Sequence, residues 1–277
     1  VAEGVRFTTA AGMSAVELAE LLVASFAGYR YPPAPDPPAQ MRERLATEDL
    51  RLDASVVALD GRGRQVGLSL LAARGEESWC GGFGLVPGVR GRRLAGVMME
   101  EQARLAAAAG ARRLRLEVLE GNEPALRAYL RAGFRRVRDV GLWRRDGRQV
   151  PGAPPLPERP AADVARALAG LATVRHAWQR QPATLGRLAA RPGVRGAVWP
   201  NAAAIWRAAP WGGTMLLSVV ASGDAAARAA VAALTEGLPS PLTLFNEPEG
   251  TPVDRALRPL GFTRYDRQHE LVLEPLP

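Results

Sequence analysis

Two stretches of this chain repeat one another, which restricts it to folds built from two copies of one unit. "NEPALRAYLRAGF" begins at Asn122 and "NEPEGTPVDRALRPLGF" at Asn246. Both run into a Gly-Phe step, at Gly133 and at Gly261. The apolar patterns around them recur in the same order: helices, hairpin, strand, helix, strand, helix, strand. In the first half, "SAVELAELLVASF" has helical spacing, with Val16, Leu18, Leu21, Leu22 and Phe26 on one side. "SWCGGFGLV" reads as a strand whose glycines mark a bulge or a close backbone approach. Asn122 is placed to cap the helix "EPALRAYLRA", with Pro124 in its first turn, and Gly133 stops it.

Between the copies, residues 146–160 read "DGRQVPGAPPLPERP", a polar run with five prolines and two glycines. A proline lacks the N–H that a helix or a central strand needs, so this run reads as a linker. The division expected is residues 1–147, a linker at 148–160, and residues 161–277. The fold class is α/β (α+β with mixed sheets), each domain a central mixed β-sheet flanked by helices.

The chain has 277 residues, is 47% hydrophobic and carries a net charge of +8. All 36 basic residues are arginine, spread along the whole length. An even spread argues against a nucleic-acid surface, which needs its cations gathered on one face. No apolar run reaches the roughly 20 residues of a membrane span. "VAEGVRFTTA" has no basic-then-apolar signal pattern, and Cys80 is the single cysteine, so a cytoplasmic location is the expectation. His176 and His269 lack metal-ligand spacing, and no metal is expected. Cys80 reads as a small core residue, and Trp178, Trp199, Trp206 and Trp211 as packing residues of the second half or its contacts.

One stretch runs against helix electrostatics. "VPGVRGRRLAG", residues 86–96, follows a strand and opens the helix "VMMEEQARLAAAA", so Arg90, Arg92 and Arg93 crowd a helix N-terminus. The helix dipole is already positive there, and cations at that end destabilise it. A bound anion would offset them, because free backbone N–H groups at a helix start are a phosphate cradle that arginines reinforce. The spacing is neither a Walker loop nor Gly-x-Gly-x-x-Gly.

This turn resembles the acyl-CoA pyrophosphate loop of GCN5-related N-acetyltransferases (GNAT), where a strand leads to Arg/Gln-x-x-Gly-x-Gly/Ala and a helix. Arg90 matches the first position and Ala95 the last, while Arg93 stands where the first glycine is usual. "LEVLEGNEPALRAYLRAGF" is similar to a second GNAT segment, Leu-Glu-Val-x-x-x-Asn-x-x-Ala-x-x-x-Tyr-x-x-x-Gly-Phe. The resemblance covers about residues 3–145, and a degenerate form covers 161–277. It implies transfer of an acetyl group from acetyl-CoA directly to a primary amine of a small molecule or peptide. The cofactor contacts it implies are Gly84, Leu85, Val86, Arg90, Gly91, Arg92, Arg93, Leu94, Ala95, Gly96, Asn122 and Tyr129. The backbone N–H groups near Gly84 and Leu85 are the expected oxyanion donors.

Acyl transfer from a thioester requires a deprotonated amine, a stabilised oxyanion and a protonated leaving sulfur. The resemblance makes Tyr129 the candidate acid and Glu117 the candidate base. Glu117 shares a strand face with Arg113 and Arg115, so a structural ion pair is an equal reading, and Glu76 and Glu77 compete for the role. The loop 31–38 is expected to shape the acceptor pocket or to be only a connection. Two other functions stay open: a tandem enzyme similar to mycothiol synthase acting on an amino-sugar conjugate, and a non-catalytic acyl-CoA binder. In the second half, Leu257 replaces Tyr129 counting from Gly-Phe, and Pro241 replaces Glu117 counting from Asn-Glu-Pro. Asp224 opens a helix there that has no arginine cradle. That half is expected to be degenerate.

Overall fold

The computed structural model describes residues 4–31, 33–91, 93–147 and 151–277. The chain divides into two compact units, residues 1–137 with 270–277, and residues 138–269. Compared with the division read from the linker, residues 138–147 are counted with the second unit and the chain's last eight with the first. A linker shows where the chain runs between units, but not which strands each unit takes from the other end of the sequence.

In the first unit, β1 (Arg6–Thr9) leads to α1 (Ala15–Ser25) and α2 (Pro37–Thr47). Then come β2 (Val56–Leu59), β3 (Gln65–Arg74), β4 (Glu77–Leu85), α3 (Leu94–Ala108), β5 (Arg113–Leu119) and α4 (Glu123–Arg131). The strands lie in the order β1-β2-β3-β4-β5. All pair antiparallel except β4 with β5, which are joined through α3 and run parallel. Ser14 and Glu17 form a reciprocal capping box at the start of α1. The buried face of α1 is Leu18, Ala19, Leu21 and Ser25, while Val16 is exposed, contrary to its expected place. Helical spacing fixes the width of the apolar stripe but not its last member, and Val16 lies one step outside it. Val57, Leu68 and Leu70 of the sheet pack in one cluster with Leu18, Ala19 and Leu21 of α1 and Met41 of α2.

In the second unit, β6 (Arg135–Arg145) precedes α5 (Ala161–Leu171), a 3-10 turn at Trp178–Arg180 and α6 (Pro182–Ala189). Then come β7 (Arg195–Trp199), β8 (Ala202–Ala208), β9 (Thr214–Ala221), α7 (Asp224–Gly237), β10 (Leu242–Pro248) and α8 (Pro252–Leu257). The order is β7-β8-β9-β10-β6, with β9 and β10 the parallel pair. The last strand, β11 (Thr263–Leu273), gives its residues up to His269 to this unit and the rest to the first. Trp178 and Trp206 are buried, Trp199 packs partly buried on the core, and Trp211 is half exposed.

The Gly-Phe repeat holds at the level of hydrogen bonds. Gly133 and Gly261 both adopt left-handed backbone after their helices, with φ of 91° and 83°. The next N–H turns back to the carbonyl five residues earlier, Phe134 to Tyr129 and Phe262 to Leu257, at 3.1 Å in each case. Leu257 therefore stands at the position of Tyr129. The Asn-Glu-Pro repeat does not hold. Asn122 caps α4, whereas Asn246 lies inside β10, and the cap of α8 is Thr251. Pro241 therefore does not stand at the position of Glu117; counted from the ends of the two parallel ladders, the equivalent of Glu117 lies on β10 around Asn246.

Candidate active site

The parallel ladder between β4 and β5 is short. It pairs Glu77 with Arg113, Ser78 with Leu114 and Trp79 with Arg115, and ends there. Both strands continue, β4 to Leu85 and β5 to Leu119, so their facing edges diverge. Diverging edges expose backbone N–H and C=O groups that an extended, amide-bearing ligand can pair with.

The glycines of β4 are required by what lies against them. A side chain at Gly84 would bring its Cβ within 2.8 Å of the Ser25 carbonyl, so the end of α1 sits directly on this strand. The pairing of β3 with β4 shifts register between Leu70↔Gly82 and Leu71↔Cys80, leaving Gly81 as the extra residue of a bulge.

Tyr129, in the last turn of α4, is buried against Phe83 of β4 and Phe134, with ring centroids 5.8 and 5.9 Å away. Its ring shares a cluster with Cys80, Leu116 and Val118 on the diverging strands. Burial, and then the neighbouring Cys80 and Tyr29, hold its hydroxyl well above the ordinary phenol pKa. Its hydroxyl therefore stays protonated through neutral pH. Burial also pushes the Cys80 thiol up, which disfavours a nucleophilic thiolate there.

Glu117 of β5 accepts a hydrogen bond from the Trp79 indole Nε1 at 2.8 Å. Arg113 and Arg115 reach other acids: Glu77 bridges them, Glu274 contacts Arg113 and Glu270 contacts Arg115. Glu77 is thereby engaged in ion pairs, and Glu76 lies 3.1 Å from Arg112.

At the start of α3, Arg93 occupies the cap position with φ 60° and ψ 5°, the left-handed region that favours glycine. This gives a physical reason for a glycine at that position of the pattern. Arg93 makes no side-chain cap hydrogen bond, and no acid stands in the helix's first turn. There is open space where a Cβ at Gly91 or Gly96 would lie, while Leu94 is buried beneath. Arg92 lies outside the described residues. Relief of left-handed strain is worth about 1–2 kcal/mol, and added chain freedom takes back about 0.5–1. Arg93→Gly is thus expected to stabilise the chain by roughly 0.5–1 kcal/mol in urea unfolding.

Arg90 points away from that helix end. Its Nε donates to the Leu85 carbonyl at 2.8 Å, and Nη2 to the carbonyls of Ser25 and Ala27 at 3.1 and 2.8 Å. It ties the turn to the C-terminal end of α1, where the dipole favours a cation. The Val86 N–H is taken by the Val66 carbonyl. Asn122 caps α4 through Ala125 N at 3.4 Å.

Sequence reasoning missed Arg44 of α2. Its guanidinium pairs with Glu48, donates to the Gly81 carbonyl at 2.7 Å and lies 5.8 Å from the Trp79 ring centroid. It also missed Arg30, which donates to the Glu120 carbonyl and so brings the segment after α1 beside the end of β5. Neither belongs to a recognisable motif, and each depends on contacts distant in sequence.

The second unit has the same divergence, filled from within. The β9–β10 ladder ends at Leu216↔Leu244. Beyond it, the Arg180 guanidinium donates to the carbonyl of Val219 on β9 at 3.2 Å and to that of Asn246 on β10 at 3.0 Å. Arg180 also makes a 2.6 Å charge contact with Glu247, both side chains being almost fully buried. Thr251 donates its hydroxyl to the same carboxylate.

His176 lies close by. Burial, and then the charges of Arg180 and Arg138, lower its pKa to about 3 from 6.5. The folded imidazole stays neutral, whereas the unfolded one takes up a proton below about pH 6.5. Its contribution is therefore present in full above pH 6.5 and lost as pH falls toward 3, by at most about 1.4 kcal/mol per pH unit. Unfolding measured from pH 7 to 4 should show His176→Gln losing less stability over this range than the wild type.

Among the described residues, no group of His, Cys, Asp and Glu is arranged to hold a metal ion. No helix among them is long and apolar enough to cross a membrane.

Residues 16–134 match the model of the Acetyltransferase (GNAT) family. The comparison with curated proteins gave no match. Among solved structures, the chain is similar to a GCN5-related N-acetyltransferase from Sphaerobacter thermophilus, with 18% identity, 99% of this chain and 96% of that one covered, and a TM-score of 0.67. It is also similar to a tandem GNAT protein from the clavulanic acid biosynthesis pathway, with 16% identity, 99% of each chain covered, and a TM-score of 0.62. At such identities the likeness is one of fold. Residues 16–134 thus match the acetyltransferase (GNAT) family model, and the whole chain has a fold similar to that of a tandem GNAT protein.

Proposed function

We propose that the chain is an N-acetyltransferase that moves an acetyl group from acetyl-CoA directly to a primary amine of a small molecule or peptide. The first unit does the chemistry, and the second is a degenerate copy. The observation that carries this reading is the divergence of β4 from β5 with Tyr129 packed at its wall. The uncapped start of α3 follows the same strand.

The residues present fit the coenzyme. The diverging edges suit a pantetheine chain, and the N–H groups of Leu94, Ala95 and Gly96 suit a diphosphate. Gly91 leaves room beside them, and the side chains of Arg92 and Arg93 supply positive charge. Arg90 serves by holding the turn. The backbone N–H of Leu85, on the edge of β4 away from β3, faces the reacting carbonyl, whereas that of Gly84, also expected there, is turned into the β3 ladder. Tyr129 gives its proton to the departing sulfur, Glu117 receives the proton of the amine directly or through water, and Asn122 holds the start of α4 or contacts the pantetheine.

Acetyl-CoA supplies the activated acetyl group, and no metal takes part. The partner is the amine, with no role for nucleic acid or membrane. The location proposed is the cytoplasm, in keeping with a lone, buried cysteine.

A second reading, an acyl-CoA binder without turnover, has Arg93 in its favour, since a large side chain at a glycine position crowds the approach to α3. Two measurements separate them. Calorimetry with acetyl-CoA should show binding, and free thiol release should rise when a panel of primary amines is added. Binding without release favours the binder, and no binding at all ends both readings.

A further inference from the structure

The bulge at Gly81 turns one carbonyl out of the β3–β4 ladder, and a side chain from α2 takes it. Arg44 Nη2 donates to that carbonyl at 2.7 Å, while Nε of the same guanidinium binds Glu48 at 2.7 Å. The guanidinium also lies over the Trp79 ring, whose indole N–H holds the Glu117 carboxylate. A Cβ at Gly81 would come within 2.5 Å of the Trp79 ring and 2.7 Å of Arg44 Nη2, so the three groups are packed against one another.

A bulge re-aims the residues that follow it. Here those are Gly82 to Leu85, the stretch that carries the N–H the proposed reaction uses. Arg44 is four-fifths or more buried and its charge is matched by Glu48, so it acts through what it holds and not as a free cation.

We infer that Arg44 is a positioning residue for the acyl transfer proposed above: it fixes the Gly81 bulge, and with it the oxyanion-facing amide of β4, and it braces Trp79 behind Glu117. This inference rests on that reading of the first unit. Loss of the guanidinium lets the bulge carbonyl swing to solvent and the following amides lose their aim. A displacement of a few tenths of an ångström suffices to weaken a preorganised donor.

The test uses the full chain with acetyl-CoA carrying a ¹³C thioester carbonyl and needs no known acceptor. Calorimetry gives affinity, and isotope-edited infrared spectroscopy gives the carbonyl stretch of the bound thioester. In the wild type, donors aimed at the oxygen lower that frequency relative to free acetyl-CoA. In Arg44→Met, affinity is expected to stay within about threefold while roughly half or more of the frequency shift disappears. In Arg44→Lys, a single ammonium reaches Glu48 or Gly81 but not both, and an intermediate shift is expected.

A wild-type band shift retained in full by both variants overturns the inference, and Arg44→Lys decides it alone if Arg44→Met does not fold. Absence of acetyl-CoA binding by the wild type is a different failure and counts against the reading of the unit itself.

Discussion

Tyr129→Phe is expected to slow acetyl transfer by about 100-fold or more and to leave acetyl-CoA affinity unchanged, as removal of a general acid does. The change deletes one oxygen and keeps the ring, so the packing against Phe83 and Phe134 survives. The two measurements should therefore part: turnover falls, while calorimetric affinity and unfolding midpoint do not. A phenol whose pKa is raised by burial also imposes a simple pH pattern. It remains protonated throughout neutral and moderately basic solution, so no loss of rate there traces to its ionisation. A Tyr129→Phe chain with full turnover would remove this residue as the acid and leave the departing sulfur to solvent.

The second large effect lies in the other unit. Arg180→Ala should cost about 3–5 kcal/mol of its stability, the usual penalty for leaving a buried carboxylate without its cation. Burial already raises the pKa of Glu247, with Arg180 and Thr251 acting in the opposite sense. Without Arg180, the carboxyl becomes protonated or draws water into the core, and the carbonyls of Val219 and Asn246 lose a donor. Urea unfolding should show an earlier transition for this unit. A paired Arg180→Met, Glu247→Leu chain should recover most of the loss, because two apolar side chains leave no stranded charge. A loss under about 1 kcal/mol for Arg180→Ala would mean that the pair is more hydrated than its burial indicates.

What could be read from the sequence follows the range of the forces involved. The helix cap at Asn122 and the stop at Gly133 depend on neighbours within a few residues, and spacing reveals them; the capping box at Ser14 has the same short range and was missed. The Gly-Phe repeat was sound because left-handed backbone and a returning N–H need a glycine there in both copies. The Asn-Glu-Pro match was coincidence, since its second copy lies within a strand. Arg90 illustrates a different gap. Its place in the turn was legible, but its use was not, because the carbonyls it binds on α1 lie far away in sequence. Arg44 and Arg180 likewise act across elements that no periodicity connects.

The seat of Arg180 also bears on how many ligands one chain takes up. In both units the parallel ladder ends early, at Trp79↔Arg115 and at Leu216↔Leu244. In the later half, a guest would first have to evict a guanidinium and abandon its carboxylate. At about 3–5 kcal/mol, that internal competitor would weaken any guest roughly 10²- to 10³-fold or more before a single favourable contact is counted. Titration with acetyl-CoA should accordingly saturate at one equivalent per polypeptide.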